Sequence, residues 1–270
     1  MSSTQAITAV AARSRRWGAW YVAEHKLRAM RSFAGTVVAT AIGTPILYLF
    51  AFGVGLATLV TGNVGPGGSS YLQFVAPALL CTAAVTVGTE EYLFGILLGF
   101  KWNPTFVGMN STPISARQII DGMAIFIVIR MTIVVVIYYL VMLAFGAVPS
   151  AAGLAMIPIG ILTGLAFSPL AAFSATIYED KGQFAVVQRV VILPLTLFSG
   201  TVFPLTQLPI YLQWIGWLSP LWHGSELGRQ ASYGPTEPAW LTAVHVVYLA
   251  GIAGVGWVLT VRVATQRLDK

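Results

Sequence analysis

The chain has 270 residues, of which 57% are hydrophobic and 9% carry a charge, whereas a soluble domain carries about a quarter charged residues. Its mean hydropathy is +0.79 and its formal net charge is +6. These values exclude an ordinary soluble domain and predict an integral membrane protein, and the single cysteine, Cys81, excludes an intramolecular disulfide and a cysteine-based metal framework.

The first predicted element is an amphipathic helix in an N-terminal arm, residues 1–34. Trp20, Ala23, Leu27 and Met30 follow a 3-4-3 spacing, which places them on one side of a helix. Basic residues surround this stripe, as in helices that lie on anionic lipid headgroups. The arm is predicted to be cytoplasmic and interfacial, with a solvated basic arm as the alternative.

Six apolar runs follow, each of a length that crosses a bilayer as a helix of about 20 residues. They are residues 35–60, 71–100, 119–148, 151–177, 190–206 and 239–261. None of them shows the alternation of a membrane β-strand. The predicted fold is therefore all-α and integral to the membrane, with six transmembrane helices.

The charges fall on alternate connections. Lys and Arg lie in the arm, in the loop after the second run, in the loop after the fourth run and in the C-terminal tail, whereas residues 61–70 and 147–151 carry no charge. Short basic loops stay cytoplasmic. Both termini are therefore predicted to be cytoplasmic.

The second cytoplasmic segment, residues 101–118, is predicted to contain a short helix. Asn103 and Pro104 are typical of a helix start, and Trp102, Phe106 and Met109 are spaced at i, i+4 and i+7. This pattern predicts one apolar side. The alternative is an ordinary capped loop.

Asp121 lies near the start of the third run, and three further charges lie deep inside the apolar runs, where a charged side chain costs about 2.5–3.5 kcal/mol or more. Glu90 and Glu91 in the second run and Arg130 in the third reach similar depths on antiparallel helices. We expect one glutamate to pair with Arg130. This polar cluster is interpreted as a structural clamp, a polar wall of a substrate path, or a proton relay.

The uncharged stretch of residues 190–225 spans 36 residues, about 54 Å as one helix and well beyond a ~30 Å hydrocarbon core. Only a single crossing leaves the basic tail inside. Residues 204–238 are therefore predicted to form an extracellular re-entrant hairpin and loop, with Trp214 and Trp217 at the headgroup level. An interfacial surface helix is the alternative. His223 and Glu226, at i and i+3, are close enough for a hydrogen bond but too few for a metal site.

The stretches FSGTVFPLTQLPIYLQ and PLWHGSELGRQ, together with the earlier YLQFVAPALL, resemble the membrane subunits of type-2 ABC exporters, in the nodulation lipo-oligosaccharide and daunorubicin-type branch. The resemblance implies six spans, a connector helix in the arm, a single transmembrane domain over residues 35–270, a coupling helix within residues 101–118, the re-entrant hairpin, and dimerisation. It implies two groups of site residues. They are Trp102, Pro104, Phe106 and Met109 for coupling to an ATPase, and Phe203, Pro204, Trp214 and Trp217 for an extracellular gate.

No phosphate-binding loop is recognisable, because Lys26, Lys101, Lys181 and Lys270 all lie outside the required glycine-rich setting. We therefore expect no catalytic, cofactor or metal site on this chain, and expect ATP and Mg on a partner subunit. The expected protein is the permease subunit of an exporter in a bacterial inner membrane, moving an amphipathic glycolipid, lipid-linked saccharide or hydrophobic drug. Expected partners are two ATPase copies, a second permease copy or homologue, and lipids, but not nucleic acid.

Two alternatives remain at this point. The chain is a proton-coupled secondary transporter that uses Glu90, Glu91 and Arg130, or a membrane enzyme that acts on lipids with His223 and Glu226. Transport that is lost with the ATPase but indifferent to uncouplers excludes the first. Activity that survives His223→Ala excludes the second.

Overall fold

The computed structural model describes residues 3–56, 70–179, 181–235 and 237–270. Within these ranges the chain is helical, with π-helical and 3-10 turns between α-helices and no β-strand. The α-helices are α1 (Ser3–Arg31), α2 (Ala34–Phe50), α3 (Tyr71–Glu90), α4 (Thr105–Asn110), α5 (Ala116–Ala144), α6 (Met156–Leu165), α7 (Pro169–Thr176), α8 (Gln183–Val187), α9 (Leu193–Leu197), α10 (Ile210–Leu218), α11 (Pro220–Tyr233) and α12 (Ala239–Leu268).

Five helical segments of the described residues are long and apolar enough to cross a membrane. They are Ala34–Gly53, Tyr71–Trp102, Ala116–Ala144, Ala151–Thr176 and Ala239–Leu268. Each overlaps one of the six predicted spans, which confirms an all-helical, multi-pass chain. The predicted outer connection at residues 61–70 lies outside the described residues except for Ser70.

The fifth predicted span, residues 190–206, has different boundaries in the structure. The apolar helix here runs from Gln183 to Leu197, about 22 Å of helix against a ~30 Å hydrocarbon core. It ends before Gly200, which adopts φ +67°, a backbone conformation that favours glycine. The predicted end at residue 206 is therefore wrong, because the chain turns before reaching it.

Helix α3 lies at the centre of the bundle and packs against α5, α6 and α11. It is the most buried of the five spanning segments, whereas the segment containing α2 is the least buried. Small residues allow α3 and α6 to approach closely, since a Cβ added at Gly164 would lie 2.9 Å from the backbone oxygen of Ala84. Close packing of small residues is the usual means of helix association in membranes.

Two long helices begin with the same local motif. Ser70 caps α3 and exchanges hydrogen bonds with Gln73, and Ser115 caps α5 in the same way with Gln118. Each serine accepts from a backbone N–H of the first turn while the glutamine accepts from the serine N–H. These capping boxes fix where the second and third spans start.

The N-terminal helix α1 packs along α5. Gln118 Nε2 donates to the backbone oxygen of Arg15 at 2.7 Å, and Ala23 is buried with Leu27 and Met30 packed beside it. The predicted apolar stripe therefore faces the bundle, while Trp20 remains exposed.

Arg267, near the end of α12, joins three elements on the inner side. Its Nη1 donates to the backbone oxygens of Ala175 and Ile177 at 2.8 and 2.7 Å. Its guanidinium also lies 4.3 Å from the ring centre of Phe100 and 4.4 Å from that of Tyr178. This arginine satisfies carbonyls at the C-terminal end of α7 and holds the C-terminal end of α12 against it.

Candidate functional site

Arg130 of α5 lies between the two glutamates of the second span. Its Nη2 is 2.9 Å from Glu90 Oε2, and its Nη1 contacts Glu91 Oε1. The side chains of Arg130, Glu90 and Glu91 are 22%, 52% and 13% exposed. The prediction named one partner for Arg130, and the structure gives it both glutamates.

The local helix geometry brings the two neighbouring glutamates to one partner. Glu90 ends the regular part of α3, and residues Glu91–Gly95 form a π-helical turn. Such turns widen a helix and occur often at functional sites. The wider turn lets both carboxylates reach across to α5.

Lys26 of α1 belongs to the same charged region. Burial lowers the pKa of Lys26, and the Glu91 carboxylate partly opposes that change. The region therefore holds two carboxylates with one guanidinium and one amine. The opposite charges offset much of the cost of placing these groups away from water.

Glu90 and Arg130 also line a cavity of about 520 Å³ between α2, α3, α5 and α9. The cavity follows α3 from Leu79 to Glu90 and reaches the turn after α9 at Thr201. Most of the wall is apolar. The charged region thus marks one end of the cavity, and the turn at residue 201 marks the opposite end.

Hydroxyl groups interrupt the apolar wall. Thr40, Thr82, Thr86 and Thr196 line the cavity, and each donates its hydroxyl proton to a carbonyl of its own helix. Their oxygens keep free lone pairs. The Tyr138 hydroxyl is buried and, within the described residues, has no hydrogen-bond partner.

This arrangement suits an amphipathic molecule. Its apolar part would contact the aliphatic wall, and its hydrogen-bond donors would meet the threonine oxygens and Tyr138. Tyr48 and Leu197 on the cavity rim are exposed, so the cavity opens sideways out of the bundle.

The coupling loop, residues 101–118, differs from its predicted form. Helix α4 starts at Thr105, with Pro104 as its N-cap residue and no side-chain cap. Asn103 does not cap it, because its backbone lies outside the helix after the π-helical turn that ends at Trp102. The short helix is therefore separated from Trp102.

The three apolar residues of this loop do not share one face. Phe106 is fully buried, Met109 is partly buried and packs against the core, and Trp102 is exposed. The ring of Phe106 meets that of Phe100 edge-on at 5.1 Å. The exposed apolar surface of the loop consists instead of Trp102 and Val107.

Helix α4 is fixed to the inner ends of two other helices. Asn110 Nδ2 donates to the backbone oxygen of Leu268 in α12 at 3.0 Å, and Lys26 Nζ of α1 lies 5.8 Å from the ring centre of Phe106. A force applied to α4 would therefore act on α12 and α1 directly.

The predicted gate residues fall on two elements. Trp214 and Trp217 lie on α10 and are more than half exposed, whereas Phe203 and Pro204 are partly buried in the turn that precedes it. Helices α10 and α11 follow one another and are joined at Ser219; this helix pair is called the outer hairpin below, after the element predicted from the sequence. The structure does not bring the four gate residues into one cluster.

Sequence reasoning missed Arg229 of α11, the largest fully buried side chain described. Its Nη1 lies 2.6 Å from Glu226 Oε1, and its Nη2 donates to the backbone oxygens of Gly200 and Thr201 at 2.7 and 3.3 Å. Although the spacing of His223 and Glu226 allows a hydrogen bond, His223 contacts His245 and the backbone oxygen of Trp217, and Glu226 pairs with Arg229. The signal that could have pointed to this site is an arginine close after a long uncharged stretch of a membrane protein.

No group of three or more His, Cys, Asp or Glu side chains among the described residues is placed to hold a metal ion.

Comparison with known proteins gives a consistent set of relatives. A family model described as "ABC-2 type transporter" matches residues 20–233. "Nodulation protein J" of Rhizobium leguminosarum bv. viciae is 28% identical over 227 residues, which cover 84% of this chain and 86% of that protein. The protein of the same name from Rhizobium leguminosarum bv. trifolii is 31% identical over 193 residues, 72% of each chain.

A more distant relative comes from another group of bacteria. "Inner membrane transport permease YadH" of Escherichia coli strain K12 is 24% identical over 238 residues, which cover 87% of this chain and 91% of that protein. No solved structure matches the chain. The family match includes the charged region, the coupling loop and the outer hairpin.

Proposed function

This chain belongs to the ABC-2 type transporter family, and from that premise we propose that it is the permease subunit of an ATP-driven exporter for an amphipathic substrate. The substrate is a glycolipid, a lipid-linked saccharide or a hydrophobic drug. The observation that carries this proposal is the cavity beside α3, with its apolar wall, its threonine oxygens and its charged inner end.

The proposed topology has six crossings with both termini in the cytoplasm of a bacterial cell. Residues 1–34 form the connector arm, and residues 35–270 form one transmembrane domain. The short helix from Gln183 to Leu197 is the fifth crossing, and the outer hairpin with its following loop, within residues 204–238, re-enters the outer leaflet. The basic residues of the proposed inner loops support this topology.

We further propose that a separate ATPase, in two copies, binds the coupling loop. Trp102, Pro104 and Val107 offer an exposed surface, while Phe106 and Met109 connect that surface to the bundle core. The contact of Asn110 with Leu268 supports transmission from this loop into the spans. ATP and Mg would bind the ATPase alone.

The cavity opens sideways, so one chain does not enclose a large substrate. A second copy, or a homologous permease, would close the open side against α2 and α9. The exposed apolar residues of these helices, such as Leu47 and Leu193, support a contact within the membrane. Phe203, Pro204, Trp214 and Trp217 would then close the outer end of the path.

The proposal is tested by ATP hydrolysis in a reconstituted complex. The chain is purified in lipid nanodiscs with the ATPase subunits encoded in the same genome, and hydrolysis is measured with and without a glycolipid or daunorubicin. Stimulation by either compound supports the proposal. A chain that assembles with no ATPase and transports either compound in response to a pH gradient overturns it in favour of a secondary transporter.

Replacing Trp102 and Val107 together by alanine is expected to weaken ATPase binding about tenfold or more, because exposed aromatic anchors carry much of the affinity of an interface. Binding is measured by co-purification and by titration of the ATPase onto immobilised permease. Exposed Val186 on α8 provides a matched control as Val186→Ala. Unchanged affinity in the double variant would show that the ATPase docks elsewhere.

Filling the cavity is expected to abolish substrate-stimulated hydrolysis while leaving basal hydrolysis in place. Thr86→Trp adds a large ring from the wall of the 520 Å³ cavity, so a substrate loses the space that it needs. The control is Ala124→Trp, which fills a separate groove of about 290 Å³ between the π-helical segment after α3 and helices α5, α6, α7 and α12. Equal stimulation in Thr86→Trp and wild type would place the substrate path outside this cavity.

A further inference from the structure

Two histidines meet where the outer hairpin contacts α12, away from the cavity and the coupling loop. His223 of α11 and His245 of α12 place their Nδ1 atoms 2.6 Å apart. His245 is 0% exposed and His223 is also buried. Trp222 contacts both rings edge-on, with ring centres 4.9 and 5.1 Å away. We call these two side chains the imidazole pair.

The Nε2 atoms of both histidines, here called the outer nitrogens of the pair, face hydrogen-bond acceptors. His223 Nε2 lies 2.9 Å from the backbone oxygen of Trp217, and His245 Nε2 lies 3.1 Å from Glu237 Oε2. The same Glu237 oxygen accepts from Gln230 Nε2 at 3.0 Å. A carbonyl and a carboxylate oxygen have no proton to give, so each outer nitrogen must carry one.

These contacts fix the number of protons in the pair. Each outer nitrogen of His223 and His245 carries a hydrogen, and a third hydrogen must lie between the two Nδ1 atoms for them to approach to 2.6 Å. Two neutral imidazoles carry two ring protons. The hydrogen-bonded series from the Trp217 carbonyl through both imidazoles to Glu237 therefore holds one proton more than two neutral rings would carry. The Glu237 carboxylate balances the resulting positive charge.

The surroundings favour one positive charge. The last carbonyls of α10 point at the site, since Trp217 O accepts from His223 and Leu218 O accepts from Tyr248 Oη at 2.6 Å. A helix C-terminus favours a cation. The Tyr248 ring stacks on that of His223 with centres 4.0 Å apart.

Among the titratable side chains on the helices around the imidazole pair, those with a described partner bond to groups other than the two histidines. Helices α6 and α9 carry no titratable side chain, and α4, α5 and α7 meet α12 on its inner half. Apart from Glu90 at the last position of α3, the other titratable groups on α3, α10 and α11 are Tyr71, Cys81, Tyr211, Glu226, Arg229 and Tyr233. Glu226 pairs with Arg229, Tyr71 donates to Val202 O, and Tyr211 is exposed.

We propose that the imidazole pair and Glu237 form a proton-binding site that fastens the outer hairpin to α12, with one shared proton as its ligand. Removing that proton leaves the two Nδ1 atoms facing each other as acceptors. Adding a second places two cations side by side. In either case the link between α11 and α12 breaks.

Proton counting predicts how the closed hairpin depends on pH. An imidazole released into water has a pKa of about 6.5, so an open hairpin binds two protons well below that pH and none well above it. The closed hairpin holds one, placed between the two Nδ1 atoms by their 2.6 Å separation. Linkage then places the maximum of closure near pH 6.5, with a loss of about eightfold at pH 5 and at pH 8.

A second observation supports the expected opening of the hairpin below pH 6.5. Burial lowers the pKa of His223 to about 4, with the Trp217 carbonyl opposing the change and His245 adding to it. Within the closed hairpin His223 therefore takes up no further proton between pH 6.5 and about 4, whereas an imidazole released into water does so. Falling pH in this range favours opening.

The single thiol of the chain reports on the hairpin. Cys81 is buried on α3, and its Sγ lies 3.4 Å from the backbone oxygen of Gly224, the residue after His223. Because α11 covers this thiol at Gly224, a movement of α11 away from α3 would expose it to a reagent. The experiment measures the rate of N-ethylmaleimide labelling of the nanodisc-embedded protein from pH 5 to pH 8, divided by the rate for the denatured protein at the same pH.

The wild type is expected to show a minimum in this ratio near pH 6.5, with a rise of about eightfold at either end. His245→Gln and Glu237→Gln are expected to lose the alkaline rise, because neither variant keeps the shared proton when closed. His25→Gln, which removes the exposed histidine of α1, is the control and keeps both rises.

Three results would overturn the proposal. They are a wild-type ratio that does not change with pH, an alkaline rise that persists in His245→Gln, and a minimum that vanishes on adding EDTA, which would assign the site to a metal ion. The wild-type profile needs no substitution, so misfolding of a variant does not decide the outcome. Labelling is independent of ATP hydrolysis and of any exported substrate.

Discussion

Arg130→Met is expected to lower the apparent melting temperature of the purified permease by roughly 6–12 °C, because it leaves two carboxylates without the guanidinium that lies between them. Breaking one side of a buried ion pair costs about 3–5 kcal/mol. We expect an energy at the lower end of that range, since the Arg130 side chain is 22% exposed. For a chain of this size, each kcal/mol lowers the melting temperature by about 2–4 °C, which gives the stated change. Thermal aggregation followed by size-exclusion chromatography measures the change.

Two further variants separate charge from packing. Glu90→Gln and Glu91→Gln, added to Arg130→Met, remove the unpaired charges and are expected to recover most of the lost stability. Arg117→Met on the same helix is the matched control, because its side chain is 73% exposed and stands 3.6 Å from Asp121. An exposed pair contributes about 0–1 kcal/mol. A triple variant no more stable than Arg130→Met would mean that Arg130 acts through its hydrocarbon stem.

Arg229→Lys is expected to destabilise the outer hairpin by about 3–5 kcal/mol even though the charge is kept. The guanidinium reaches Glu226, the turn carbonyls and Phe74 at once, with Nε 3.2 Å from Phe74 O and the charged carbon 3.8 Å from the ring centre. A lysine amine has no planar fork and leaves several of these acceptors unpaired. The arginine is 1% exposed, so water does not replace the lost bonds.

Limited proteolysis measures this effect where it arises. Cleavage within residues 199–209 is expected to become faster in Arg229→Lys, because the turn at Gly200 loses the donor that binds its carbonyl. Arg189→Lys, at an exposed position of the helix from Gln183 to Leu197, should leave both proteolysis and melting unchanged. Equal cleavage of wild type and Arg229→Lys would show that the turn holds without the arginine.

Hydropathy and charge were enough to predict the multi-pass helical fold, because a bilayer imposes the length of its spans. The approach of Arg130 to the glutamates also followed from the sequence, since positions along antiparallel helices convert directly into depth. Both inferences needed only regular helix geometry.

Other features were beyond such reasoning. The spacing of Trp102, Phe106 and Met109 assumes one continuous helix, and the break before Thr105 removes that assumption. Backbone oxygens leave no mark in a sequence, so the partners of Arg229 at Gly200 and Thr201 could not be read from it. His223 and His245 lie on two helices whose mutual rotation is set by packing.

The last helix gives the molecule a mechanical connection between its two faces. Helix α12 runs for 30 residues without an internal proline, about 45 Å. Leu268 at one end receives the bond from Asn110, and His245 near the other end meets His223. An unbroken helix held at both ends in this way would tilt as one rigid body. A small tilt that begins at the loop of residues 101–118 would arrive, at the opposite end of α12, as sideways travel of the hairpin.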